Sequence, residues 1–253
     1  MLLAAVVATL AYYAMRGEQR PASDSAASPA LVIPPVSSVR EPAHYPIALS
    51  PTAQTLPNLD ESDAIAQDSL EKLFGTRLSS SLINFRGLIR HIVVTVDNLP
   101  RQLAHARMRP LKPLAGRFSV LGFGDDCSID PANALRYAAI VNVGVHIDVK
   151  ELVDWYIHLY PLFQEAYREL GYPTGYFNDR LIETLDDLLA SPDIAEPIKL
   201  VQSKVLYEFA DPSIEARSAG QKIMVRMGRD NAKRAKLELG ELRDEIVHRA
   251  PRR

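Results

Sequence analysis

Apolar and polar positions divide the chain into three regimes. Residues 1–15 (MLLAAVVATLAYYAM) run without a charge, residues 16–57 show no sustained hydrophobic period, and from Leu59 onward apolar residues recur at three- and four-residue steps. The last regime predicts helices. Asp60 or Ser62 can cap one running to Phe74, with Ile65, Leu70, Leu73 and Phe74 turned inward and Gly75 as its stop. Leu88, Ile89, Ile92, Val93 and Val96 predict a second over about 80–98, although the β-branched run from His91 to Val96 also suits a strand. Pro100, Pro110 and Pro113 then break the chain, and Phe118–Leu121 reads as a short strand ending at Gly122 and Gly124. Asp130 and Pro131 open a helix to about Asn142. Asp148 with Glu151 approximates a capping box for the strongest helix, Val149–Leu170, whose broad apolar face carries Leu152, Trp155, Tyr156, Leu159, Leu162, Phe163, Ala166 and Leu170. Pro161 lies inside it and is expected to kink or split it. A turn through Gly171, Pro173 and Gly175 leads to a helix over Tyr176–Ala190. Ile198–Phe209 alternates like a strand, and a final helical pair, Pro212–Met227 and Asp230–His248, divides at Gly228.

These elements describe a mainly α, irregular multi-helix domain over residues 58–249 with a small two-stranded β element, followed by a short tail, 250–253. A membrane helix and a disordered linker are expected ahead of it. As a helix, residues 1–15 reach only about 22 Å, short of a hydrocarbon core of about 30 Å. They suit a thinned or tilted anchor, the apolar region of a signal peptide, or the remnant of a longer anchor that starts upstream. Tyr12 and Tyr13 beside Arg16 and Arg20 resemble an interfacial border. The 16–57 stretch holds eight of the chain's 18 prolines among alanines and serines, a composition that favours extended, solvated backbone. Within it, Pro42–Tyr45 alone hints at a defined motif, a ligand for another protein's groove.

Composition sharpens this picture by exclusion. At 253 residues, 47% hydrophobic and 24% charged, the chain can bury a sizeable core. A net charge of −2 makes no electrostatic case for nucleic acid, and the single cysteine, Cys127, allows neither an intrachain disulfide nor a multi-cysteine zinc site. Charge is unevenly placed. Residues 216–253 carry a balance of +6 and the remainder −8. Lys222, Arg226, Arg229, Lys233 and Lys236 recur at steps of four and three, so an unbroken helix would align them as a stripe facing an anionic surface, unless Gly228 breaks it. The plainer reading is a solvated helix face that answers the acidic remainder.

Several sequence blocks are familiar. They are Thr95-Val-Asp-Asn-Leu-Pro100, the run Leu159–Pro173, Gly175-Tyr-Phe-Asn-Asp-Arg-Leu181, and Lys204–Pro212 with Ser218-Ala-Gly-Gln-Lys222. On these the chain resembles an uncharacterised bacterial family catalogued as domain of unknown function 3014, over roughly Pro57 to Ile246. The resemblance implies a single-pass anchored protein with a proline-rich linker and supplies no activity.

Candidate chemistries are few. Ser69-Leu-Glu-Lys72 matches a serine-x-x-lysine pair, but its customary partner motifs are missing from the sequence. The six histidines lack metal-ligand spacing. Asp126, Ser128 and Asp130 resemble the start of a calcium loop until Pro131 and Tyr137 occupy the positions of the turn glycine and the bidentate glutamate. No metal and no cofactor are expected. Glu165 with Glu169 and Asp179 with Glu183 lie four apart on helices flanking a tyrosine-rich turn, so Glu165, Asp179 and Glu183 are the candidates for the two carboxyls of a cell-wall glycan hydrolase or lyase. Ordinary ion pairs with Arg168 and Arg180 are the competing reading. Tyr167, Tyr172 and Tyr176 with Asn178, Asp179 and Arg180 form the preferred binding surface.

The leading expectation is a noncatalytic helical interaction module for a protein or envelope partner. It would be tethered to the bacterial inner membrane by a single pass with its domain in the periplasm. Arg16 and Arg20 alone would favour a cytoplasmic domain, and a cytoplasmic scaffold using the basic stripe is the third reading.

Overall fold

A computed structural model describes residues 44–48, 56–75, 82–102, 110–112, 117–145, 148–202 and 206–250. The expected membrane segment 1–15, most of the proline-rich stretch and residues 251–253 lie outside them. The architecture is mainly helical with two small two-stranded sheets. Helix α1 spans Asp63–Phe74 and ends where Gly75 turns to φ 77°, its N–H donating to Glu71 O at 2.9 Å. Helix α2, Leu88–Asn98, resolves the helix-or-strand ambiguity, because Leu88, Ile89, Ile92, Val93 and Val96 fall on one buried face at helical spacing. The helix begins later than the apolar pattern suggests. Gly87, at φ 64°, makes the entry turn, and the Asp63 carboxylate of α1 accepts the N–H groups of Gly87 (2.9 Å) and Leu88 (3.3 Å), a cap supplied from another helix.

Helix α3 covers Asn133–Val145 and α4 covers Val149–Glu169, the latter capped by Asp148, whose carboxylate accepts from Lys150 N at 2.8 Å. Of the kink or split expected at Pro161, the split does not occur: α4 is one continuous helix. Pro161 removes one backbone donor, but Leu159, Tyr160, Leu162 and Phe163 around it are all buried, so packing outweighs the lost bond. Helix α5 spans Phe177–Leu189, with Leu181, Ile182, Leu185 and Leu188 inward. The expected helix 212–227 is broken in two, α6 (Pro212–Glu215) and α7 (Ala219–Arg226), because Ser218 is itself a cap and accepts the N–H of Gln221 at 3.0 Å. Gly228, at φ 85°, then separates α7 from α8, Arg229–Arg249.

Helix α2 packs on α4 and α5, and α8 lies across α3, α4 and α5. Their apolar faces make the main core, which includes Phe163 stacked on Phe177 with ring centroids 5.6 Å apart. Where a single strand was read over 198–209, two short strands form a hairpin. β3 (Leu200–Val201) pairs antiparallel with β4 (Glu208–Phe209). An equivalent pair joins β1 (Val120–Leu121) to β2 (Ser128–Ile129). Ile129 N donates to Ile198 O and Leu200 N to Cys127 O, both at 2.9 Å, so the two hairpins lie edge to edge. Cys127, Ile129, Leu200, Phe209 and Val225 form a second, smaller core beneath them.

Candidate functional site

At one end of the bundle the C-terminal turns of α2 and α4, the 171–176 turn and the start of α5 surround an open cavity of about 700 Å³. Its walls carry Asp97 and Arg101 from α2, Tyr167 from α4, Tyr172, Gly175 and Tyr176 from the turn, and Asp179, Arg180, Glu183 and Asp186 from α5. Residues 179, 183 and 186 recur at steps of four and three, which puts three carboxylates along one edge of that helix. Five of the six residues preferred on sequence grounds for binding, Tyr167, Tyr172, Tyr176, Asp179 and Arg180, line this cavity. The sixth, Asn178, is buried behind it.

The turn is held by a side chain that sequence reasoning passed over. Gln164, 6% exposed, donates to Gly175 O at 2.8 Å and accepts from Phe177 N at 3.0 Å and from Tyr160 Oη at 2.9 Å. Burial pushes the Tyr160 phenol up to about 12, so it stays a neutral donor. Gly175 lies close against the Tyr167 ring, where a Cβ would sit 3.1 Å from it and the ring would have to move by a few tenths of an ångström. The turn brings Tyr172 onto Tyr167 in a parallel stack, centroids 4.5 Å apart and 13° between planes. Burial, and after it the negative charge of Asp97, raises the Tyr167 hydroxyl well above its ordinary range.

Asp97 organises the floor. It is 4% exposed, and its carboxylate accepts from Arg101 Nη2 at 2.7 Å, Arg180 Nε at 3.1 Å and Tyr172 Oη at 3.3 Å. Arg180 Nη2 also donates to the Asp97 carbonyl at 2.6 Å, and Nη1 pairs with Glu183 at 2.7 Å. Burial opposes the Arg180 charge, but its partners Glu183 and Asp97 raise the guanidinium above its usual value. The C-terminal carbonyls of α2 thereby gain the cationic partners that the end of a helix favours.

A segment from the stretch expected to be free linker closes one side. Residues His44–Ala48 lie against the start of α5, with Tyr45 and Ile47 packed on the main core. The Asp179 carboxylate accepts the backbone N–H of His44 at 3.1 Å and of Tyr45 at 2.9 Å. Asn178 Nδ2 donates to Tyr45 O at 2.8 Å while its Oδ1 accepts from Tyr156 Oη at 2.8 Å. The pair Asn178-Asp179 thus offers an acceptor and a donor to one stretch of peptide backbone, as a neighbouring β-strand would. Of the Pro42–Tyr45 motif, expected to suit another protein's groove, His44 and Tyr45 contact α5 of the same chain.

The three candidate catalytic carboxylates do not converge. Asp179 is engaged by the two backbone amides and Glu183 by Arg180, while Glu165 is exposed and stands outside the cavity wall. Ser69 has a structural place: its hydroxyl donates to Ile65 O at 2.6 Å and accepts from Trp155 Nε1 at 2.7 Å, and Lys72 is exposed beside Asp68. The basic residues 222–236 share no single surface. Lys222 and Arg226 are buried on α7, Arg229 is exposed and pairs with Asp193 at 2.8 Å, Lys233 is exposed, and Lys236 donates to Ser191 O. Gly228 breaks the helix between the second and third of them, which destroys the alignment. Among the described residues no group of three or more His, Cys, Asp and Glu could hold a metal ion, and no helix is long and apolar enough to cross a membrane.

A family model described as a protein of unknown function (DUF3014) matches residues 88–243. No curated protein and no solved structure matches the chain.

Proposed function

The chain belongs to the DUF3014 family, and from that premise we propose that its helical domain is a noncatalytic module that binds an extended stretch of polypeptide, carried on a membrane tether in the bacterial envelope. The carrying observation is the docking of His44–Ala48. Asn178 and Asp179 hold this segment through its main chain, a mode that recognises extended peptide whatever its side chains. Beyond the segment the cavity stays open, with the Tyr167–Tyr172 stack and the Asp97–Arg101–Arg180 cluster in its wall. Rigid aromatic surface beside fixed polar groups suits a partner's side chains. Hydrolysis of a glycan needs two carboxyls facing one bond, whereas Glu165 stands apart and Asp179 and Glu183 are engaged. The uncharged 1–15 segment and the proline-rich stretch support the tether, and these together with the single cysteine and the family resemblance support a periplasmic domain.

The test is photo-crosslinking of the full-length chain in its own membranes, with a benzophenone amino acid replacing Tyr176, and replacing Glu165 as the off-cavity control. A discrete adduct at 176, absent at 165, destroyed by protease and untouched by muramidase, is the expected result. An adduct removed by muramidase, or none that differs from the control, overturns the reading.

A further inference from the structure

The open cavity carries more negative than positive charge. Asp97, Asp179, Glu183 and Asp186 stand in its wall against two guanidinium groups, Arg101 and Arg180. Both cations are already paired. Arg101 is committed to Asp97 at 2.7 Å, and Arg180 is divided between Asp97 at 3.1 Å and Glu183 at 2.7 Å. From outside the wall Arg243 reaches Asp186 at 2.9 Å but also meets Asp244 at 3.2 Å. The side chain of Asp187, next to Asp186, is held by neutral donors, Ser218 Oγ at 2.6 Å and Gln221 Nε2 at 2.9 Å. Among the described residues no cation pairs with Asp179. Its carboxylate accepts two backbone N–H groups, which solvate the charge without cancelling it.

This charge lies where a docking chain would meet it. Residues 179, 183 and 186 share one face of α5, and Asp179 marks the place at which an extended backbone is held. At 1.5 Å per residue, Glu183 and Asp186 stand about 6 and 10 Å further along the helix, which two or three residues of an extended chain running beside α5 would span. Their side chains keep 62% and 51% of their surface, so a cation reaches them without giving up all of its own water. Tyr172 and Tyr176, both half-buried, add aromatic surface to the same wall, and aromatic faces attract ammonium and guanidinium groups. An acidic side chain would meet like charge here, and an apolar one would gain nothing from the carboxylates.

We propose that the cavity selects a basic side chain, lysine or arginine, on the polypeptide that docks at α5, with Glu183 and Asp186 as its counter-charges and Tyr172 and Tyr176 as the aromatic surface. The proposal rests on the reading of the domain as a peptide-binding module and adds the chemistry of the partner, a chain with positive charge close to its docking stretch.

Selection from a displayed library of short random peptides, with the full-length protein in detergent micelles as bait, tests this. Recovered peptides are expected to be enriched in Lys and Arg over Asp and Glu. Glu183→Gln combined with Asp186→Asn removes the enrichment and weakens a recovered basic peptide roughly 3- to 30-fold. The matched pair Glu151→Gln with Glu165→Gln, exposed carboxylates of α4 outside the cavity wall, leaves both unchanged. Peptides recovered without a basic bias, or a bias lost equally in the matched pair, overturn this inference and leave peptide binding standing. No peptide recovered above a blank surface overturns the peptide-binding reading and this inference with it. Should the cavity variant fail to fold, the salt dependence of a recovered peptide decides, and an affinity that is flat from about 50 to 500 mM salt overturns the proposal.

Discussion

Replacing Asp97 by alanine removes the one carboxylate that three donors share, and its cost can be worked from their surroundings. Breaking a buried ion pair by deleting one partner typically costs about 3–5 kcal/mol, because the other charge is left stranded. Here the loss should lie toward the lower end. The Arg180 side chain is 15% exposed and keeps Glu183 and the Asp97 carbonyl, whereas Arg101, at 48%, can return to water. Asp97 also sits in the last turn of α2, where the helix dipole disfavours a negative charge. We expect a loss of about 2–3 kcal/mol, which for a domain of this size lowers Tm by roughly 4–12 °C. Trp155, the sole tryptophan, is 6% exposed and hydrogen-bonded to Ser69, so its fluorescence reports global unfolding in urea. The double substitution of Asp97→Leu with Arg180→Met removes both charges and should recover most of the stability. A loss under about 0.5 kcal/mol for Asp97→Ala, with an unchanged urea slope, would refute the assignment of Asp97 as the organiser of the floor.

Burial raises the Asp187 carboxyl above 3.8, against hydrogen bonds from Ser218 and Gln221 that lower it. The folded state then holds its proton more tightly than the unfolded one, so this group's contribution to stability falls as pH rises from about 3.8. Asp187→Asn should flatten that slope, seen as a smaller stability difference between about pH 4 and 6 in urea titrations. Gly228→Ala should cost about 1–2 kcal/mol, since φ is 85° and the new Cβ would meet the Ala134 Cβ at 3.1 Å; equal urea midpoints would argue against this. Asp179→Ala should speed amide exchange in His44–Ala48 at least tenfold and leave α4 protected, a pattern read by hydrogen–deuterium exchange.

Much of the helical frame was legible because burial repeats the sequence period. Leu181, Leu185 and Leu188 face inward on α5 as their spacing requires, and Gly75 and Gly228 stop helices where a positive φ is needed. The tyrosine turn was legible as a cluster, since its members lie within ten residues of one another. Asp97 and Arg101 were not associated with it, because nothing in a local window says that residue 97 will meet residue 180. Lys222 and Arg226 mislead for a related reason. A stripe of cations at helical spacing fixes a common face but not which way that face points, and α7 turns it into the core. Pro161 shows the opposite limit, a helix that continues through a proline because it is packed on both sides of it.

The docking of His44–Ala48 on α5 joins residues 134 and 135 positions apart, which has a consequence for the order of events during synthesis. The segment leaves the ribosome first, yet the carboxylate that receives it is made last of the two. At about 5–20 residues per second, roughly 7–27 s pass between them. Closing so long a loop is favourable only after α2, α4 and α5 have assembled the surface that rewards it. Each newly made molecule therefore passes through an interval in which the segment is already made and the face of α5 that receives it is not.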